Sequence, residues 1–156
     1  MILKTRESEL PIFLRVFKAY PKDKGDFKPH DMSRTGSELA FTLAMEQGMA
    51  MAGLMAGKID GNEGSMPAKP ADMDGIISMF EKNYKDVSEK IKALSEEELN
   101  GEMSFFGNKM SKMDLLWLMI KDGIHHRGQF SVYIRNAGGK VPSIYGPSAD
   151  EPMPVG

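Results

Sequence analysis

Two of the chain's three histidines stand side by side, His125 and His126, and Arg127, Gly128 and Gln129 follow them. Imidazole can ligate a metal, move a proton near neutral pH or simply hydrogen-bond. On a helix, Asp122, His126, Gln129 and Tyr133 step by four, three and four residues and share one face. A carboxylate and an imidazole at i and i+4 can hold one divalent ion together, or bond to each other. Each helical residue turns about 100°, so His125 points away from that face and the neighbouring histidines do not serve one ion from a regular helix. The plain alternatives stand beside the chemical ones. His126 can be a buried histidine bonded to Asp122, Tyr133 or a backbone carbonyl. His125 and Arg127 are expected at the surface or at an interface, and Gly128 is a place where another helix could come close.

The elements that must carry these residues read as helices. Leu10, Phe13, Leu14 and Phe17 form an apolar stripe over about 9–19, with Ser8 as its N-cap and Pro11 in its first turn. A second helix starts after Thr35, which has capping-box spacing to Glu38, and runs to about Ala56. Gly48 and Gly53 weaken it by about 1 kcal/mol each, which predicts close helix contacts at both. The third has the clearest pattern: Met73, Ile77, Phe80, Tyr84, Val87, Ile91 and Leu94 alternate steps of four and three. The fourth starts at Ser111, with Asp114 three residues on, and stops at Gly138-Gly139. The Gly- and Pro-rich segment 57–70 reads as a loop, and the stretch before Ser111 has room for a short hairpin. The tail after Lys140 has four prolines and should lie extended on the surface or across a partner. These elements predict an all-α, antiparallel four-helix bundle in a single domain spanning 1–156.

Composition narrows the function classes. A formal net charge of −2 gives no basic footprint for nucleic acid or an anionic membrane. No apolar run of transmembrane length is apparent and the N-terminus lacks a signal-peptide core, so a cytoplasmic chain is expected. The absence of cysteine removes disulfides, thiolate metal sites and a cysteine nucleophile. Fourteen methionines point to a Met-rich core or subunit interface.

The run HHRGQFSVYIRNAGGKVPSIYGPSADE (residues 125–151) resembles the signature of the DinB-like (DNA-damage-inducible) proteins, as does FKPHDMSRTGSELAFTLAMEQ at the entry to the second helix. The resemblance implies an up-down four-helix bundle of the DinB-like type with a long crossover, often a homodimer. It also implies relatives that hold a divalent metal through three histidines, among them thiol S-transferases using bacillithiol or similar low-molecular-weight thiols and a mycothiol-dependent isomerase. Here the three positions carry Thr42, Asp122 and His126. A threonine hydroxyl is a poor ligand, a carboxylate an acceptable one. Glu46, one turn after Thr42, could substitute; His30 is a further candidate, with a solvated loop side chain as the plain alternative.

Two functions follow as expectations. One is a metal-dependent thiol S-transferase or hydrolase with an altered site, in which zinc or nickel held by His126, Asp122, Glu46 and Thr42 activates a thiol or water on a small-molecule substrate. The other is a non-catalytic, dimeric binding or structural bundle that keeps a metal-free remnant of the pocket. A role at DNA rests on the family's name alone and has no support from the charge balance.

Overall fold

The computed structural model describes residues 1–61 and 67–153. Part of the 57–70 loop and the last three residues of the tail therefore lie outside the described residues. Four long helices form the body: α1 (Ile2–Lys18), α2 (Gly36–Ala56), α3 (Met73–Ala93) and α5 (Lys112–Asn136). Between the last two lie a short helix, α4 (Glu96–Asn100), and a hairpin, β2 (Glu102–Phe105) and β3 (Asn108–Ser111). The hairpin is the expected one, turning at Phe106 and Gly107, both at positive φ. A two-residue strand, β1 (Lys58–Ile59), pairs parallel to β2 and completes a three-stranded sheet that the sequence pattern did not announce.

The capping signals are realised. Thr35 with Glu38 and Ser111 with Asp114 form complete capping boxes at the starts of α2 and α5. The start of α1 differs from expectation. The helix begins at Ile2, so Ser8 is no cap; its hydroxyl donates to the Thr5 carbonyl inside the helix. Pro11 sits mid-helix, and the burial of Ile2, Arg6 and Glu9 in the bundle outweighs the hydrogen bond it removes.

Both α3 and α5 pack against α1 and α2. The residues that meet at each end fix the directions. One apolar cluster joins Phe13 and Phe17 of α1, Leu39 and Leu43 of α2, Ile76 and Phe80 of α3, and Phe130 and Ile134 of α5. The other joins Ile2, Leu54, Ile91 and Leu115. Thus α1 and α5 run one way and α2 and α3 the other, and the chain crosses the length of the bundle between α2 and α3, the long crossover of this architecture. The expected α3 stripe from Met73 to Ile91 is buried.

Two further expectations are revised. By length and composition α2 could cross a membrane: its most apolar 18-residue window has a mean hydropathy of 1.2, with 44% of it buried within the structure. It packs against both α3 and α5, which accounts for that apolarity. Of Gly48 and Gly53, the two α2 glycines at which close contacts were expected, only Gly53 marks one: a Cβ there would lie 2.7 Å from Leu115 Cδ2 and 2.9 Å from Ile59 Cδ1, whereas Gly48 and Gly128 have open space.

Arg127 departs from expectation, whereas the tail takes the first of its two expected places, on the surface. Arg127 is 1% exposed, paired with Glu9 and bonded to the Tyr145 hydroxyl, with the Phe13 ring 4.7 Å from its guanidinium carbon. The Tyr145 hydroxyl in turn donates to Glu9 at 2.8 Å. Asp150 pairs with Arg135 and Glu151 with Arg15, so the tail lies on its own helices. The reason is geometric: Arg127 falls in the apolar stripe of α5, where only a buried countercharge makes it tolerable.

Candidate functional site

Helices α2 and α5 cross antiparallel at the middle of the bundle, and there Glu46 meets Asp122 and His126. One ligand atom from each of the three lies within 4.8 Å of the others. His126 Nε2 is 3.8 Å from Glu46 Oε1 and 3.6 Å from Asp122 Oδ2. His126 Nδ1 is 3.0 Å from Gln129 Oε1, which can only accept, so Nδ1 carries the proton of that bond. The other nitrogen is thereby turned toward the two carboxyl groups, the usual way in which an outer hydrogen bond orients a metal-ligating imidazole.

The carboxyl groups are not equivalent. Burial pushes the Glu46 carboxyl up to about 8, Asp122's charge and hydrogen bond add to the rise, and Arg34 opposes it. Glu46 Oε2 is buried without a hydrogen-bond partner, and the residue as a whole is 9% exposed. A buried carboxyl with one oxygen unpartnered and the other facing an imidazole nitrogen, beside a second carboxylate, is costly unless a proton or a cation lies among them. The spacing fits a cation. Tetrahedral donors about 2.0–2.2 Å from an ion stand about 3.4 Å apart, a few tenths of an ångström shorter than the two distances from Nε2.

Of the four ligands expected from the sequence, the structure brings three together. The Thr42 hydroxyl donates to the Glu38 carbonyl at 2.9 Å and accepts from the Arg34 guanidinium, so it is engaged at the entry to its own helix. His125 is exposed, as its helical phase requires. His30 stays in its exposed loop, with Nδ1 accepting from the Met32 amide at 3.1 Å. Tyr133 serves the site indirectly: its hydroxyl donates to the Arg34 carbonyl at 3.1 Å. Sequence reasoning passed over Arg34, although its place just before the Thr35 cap puts it at the mouth of α2.

Two cavities flank the cluster. One, of about 610 Å³, has a wall of Phe41, Met45, Met49, Phe105 and Met119 and reaches Asp122. The other, of about 410 Å³, is bordered by Ser33, His126, Gln129 and Tyr133. Arg34, Thr42 and Glu46 line both.

The pattern of the DinB family matches residues 68–153. The chain belongs to the DinB family. A Bacillus subtilis (strain 168) relative, the uncharacterized protein YjoA, is 30% identical over 122 residues, 75% of this chain and 76% of that protein. Another from the same organism, the uncharacterized protein YrdA, is 43% identical over 53 residues, only 34% of this chain and 32% of that one. The crystal structure of the DinB-like YjoA superposes with a TM-score of 0.77 at 20% identity, covering 92% of this chain and 96% of that one. A DinB-like protein from Bacillus cereus ATCC 10987 gives 0.79 at 21% identity over 92% and 95%. These likenesses establish the DinB-like bundle; the activity has to be argued from the site.

Proposed function

We propose that Glu46, Asp122 and His126 form a divalent-cation site and that this DinB-family chain uses it as an S-transferase or hydrolase acting on a low-molecular-weight thiol or another small molecule. The observation that carries the reading is the buried Glu46 carboxyl, whose Oε2 has no hydrogen-bond partner and whose Oε1 lies 3.8 Å from the Nε2 of an imidazole whose other nitrogen is already held by Gln129. One imidazole and two carboxylates suit zinc or nickel less well than three imidazoles, so affinity should fall below that of a three-histidine site. A bound cation would acidify a thiol or water placed against it. The chain's own contribution is to hold the donors rigidly from two packed helices, keep Arg34 at the rim through Tyr133 and Thr42, and set an apolar methionine wall beside Asp122. In thiol transfer the sulfur gives up its proton and bonds to the acceptor's carbon, whose leaving group departs with the bonding pair.

The test is zinc and nickel binding by titration calorimetry on tag-free protein, with His126→Ala and His125→Ala beside it, and loss of free cysteine thiol in the presence of 1-chloro-2,4-dinitrobenzene. Metal binding lost in His126→Ala and kept in His125→Ala supports the reading; the reverse refutes it. A second reading, a non-catalytic bundle with a proton in place of the cation, is favoured by one observation, the rise of Glu46 to about 8. Absence of bound metal and of thiol turnover would select it. A homodimer is proposed with either reading, supported by exposed Met55, Phe106, Leu118 and Val132; a monomer mass by light scattering at micromolar concentration would refute it.

A further inference from the structure

The two cavities beside the cluster differ in chemistry as well as size. The larger is walled by three methionines and two phenylalanines and reaches Asp122; the smaller presents Ser33, Gln129 and Tyr133 and reaches His126. The cluster is therefore open on both sides. Its carboxylate side faces the apolar chamber and its imidazole side the polar one, while Arg34, Thr42 and Glu46 form the partition. A site for one substrate needs one chamber. Two chambers of opposite polarity meeting at the same three donors suit two reactants that approach from opposite sides.

We propose that the larger chamber is the seat of an uncharged, apolar co-substrate with an aryl or alkyl body, and that the polar chamber is left to the thiol's own polar groups. The assignment rests on the transferase reading for its chemistry but not for its binding. Thioether and aromatic side chains make a soft, adaptable wall that accepts flat or flexible apolar groups. The volume, about 610 Å³, is that of an ordinary small-molecule pocket. Charge excludes an anionic body. Glu38 and Asp122 border this chamber against one guanidinium, Arg34, and Glu46 adds no positive charge whether or not it holds its proton. The hairpin contributes as well: β2 delivers Phe105 to the wall, which gives the sheet at the end of the bundle a part in selecting the occupant.

The experiment uses the full chain, stripped of metal with a chelator near neutral pH, and two dyes with the same ring system. N-phenyl-1-naphthylamine is uncharged; 1-anilinonaphthalene-8-sulfonate carries a sulfonate. The uncharged dye should bind saturably, with one dye per chain, and the sulfonate at least about tenfold more weakly. Met49→Arg, which fills the apolar chamber, should weaken the uncharged dye by about tenfold or more, while Ser33→Arg in the polar chamber should leave it within about twofold. The paired change Met45→Gln with Met49→Gln removes apolarity with little change of volume, and it should weaken the dye even if Met49→Arg fails to fold. Circular dichroism of each variant checks the fold. Equal binding of both dyes, or a loss in Ser33→Arg as large as in Met49→Arg, would overturn the proposal. Because no metal or turnover enters the measurement, failure of the cation-site reading leaves this result standing. Dye that fails to bind a protein shown to hold zinc would sink the chamber assignment alone.

Discussion

Replacing Glu46 by glutamine should change how stability depends on pH, in a direction fixed by the site. The folded carboxyl sits at about 8, against an ordinary value of 4.5, chiefly because burial disfavours its charge and secondarily because Asp122 is adjacent. A raised carboxyl means that the folded state holds a proton the unfolded chain has already lost. Between about pH 4.5 and 8 the metal-free protein therefore loses stability as pH rises, and above about 8 this contribution levels off. At about 1.4 kcal/mol for each tenfold change in proton affinity, the loss between about pH 5.5 and 9 is about 3 kcal/mol. Glutamine has nearly the same shape and does not ionise. Urea unfolding of wild type and Glu46→Gln, both with chelator, should show the variant's advantage over wild type growing by about 3 kcal/mol between about pH 5.5 and 9. Parallel pH profiles across this window would refute the account of Glu46 as a buried, proton-holding carboxyl. Zinc should reverse the trend, because the ion needs Glu46 ionised: its binding should strengthen as pH rises toward 8 and release a proton.

Other outcomes follow from the packing. Glu9→Gln should destabilise the protein by about 3–5 kcal/mol in chemical unfolding, since it strips the buried Arg127 of its countercharge. Tyr145→Phe should cost less, about 1–2 kcal/mol, because Arg127 keeps Glu9 when the hydroxyl is lost; a loss equal to that of Glu9→Gln would mean the tail, and not the ion pair, holds this layer. Gly36→Ala should cost about 1–3 kcal/mol in thermal unfolding, because the new Cβ would stand 2.2 Å from the Tyr20 hydroxyl oxygen. Gly48→Ala should instead stabilise by about 0.5–1 kcal/mol, having open space around it and a better helix former in place.

The helices that carry the site were legible because their signals are local. Thr35–Glu38 and Ser111–Asp114 name the starts of α2 and α5 within a few residues, and helical phase alone separates His126 from His125. Glu46 could be placed near the site because it lies one turn after Thr42. What sequence reading missed depended on partners distant along the chain. The two residues of β1 make a strand only because β2 lies beside them. The start of α1 is decided by burial of Ile2 and Arg6, which outweighs a proline signal. Arg127 was the recoverable error: Leu116, Ile120, Gly123, Arg127, Phe130 and Ile134 keep a four-three rhythm, so the arginine is in phase with the core. Arg6 and Glu9 keep the same rhythm with Ile2 and Phe13, and a buried charged layer could have been read from the two helices together. Arg6 itself ends beneath the surface, bonded to Gln47, Ser88 and the Tyr84 carbonyl.

The order of donors along the chain has a consequence for how the protein would acquire an ion in the cell. Glu46 belongs to the second long helix and Asp122 and His126 to the last, so no N-terminal fragment emerging from a ribosome contains the set. An ion captured at this cluster would be a late arrival, taken up after the fifth helix closes the bundle, and it could not template the earlier steps of folding. The apo bundle must then be competent to fold unaided. The proton on Glu46 would then fill the gap between synthesis and any loading, and its departure would mark the moment at which the site passed from scaffold to cation holder.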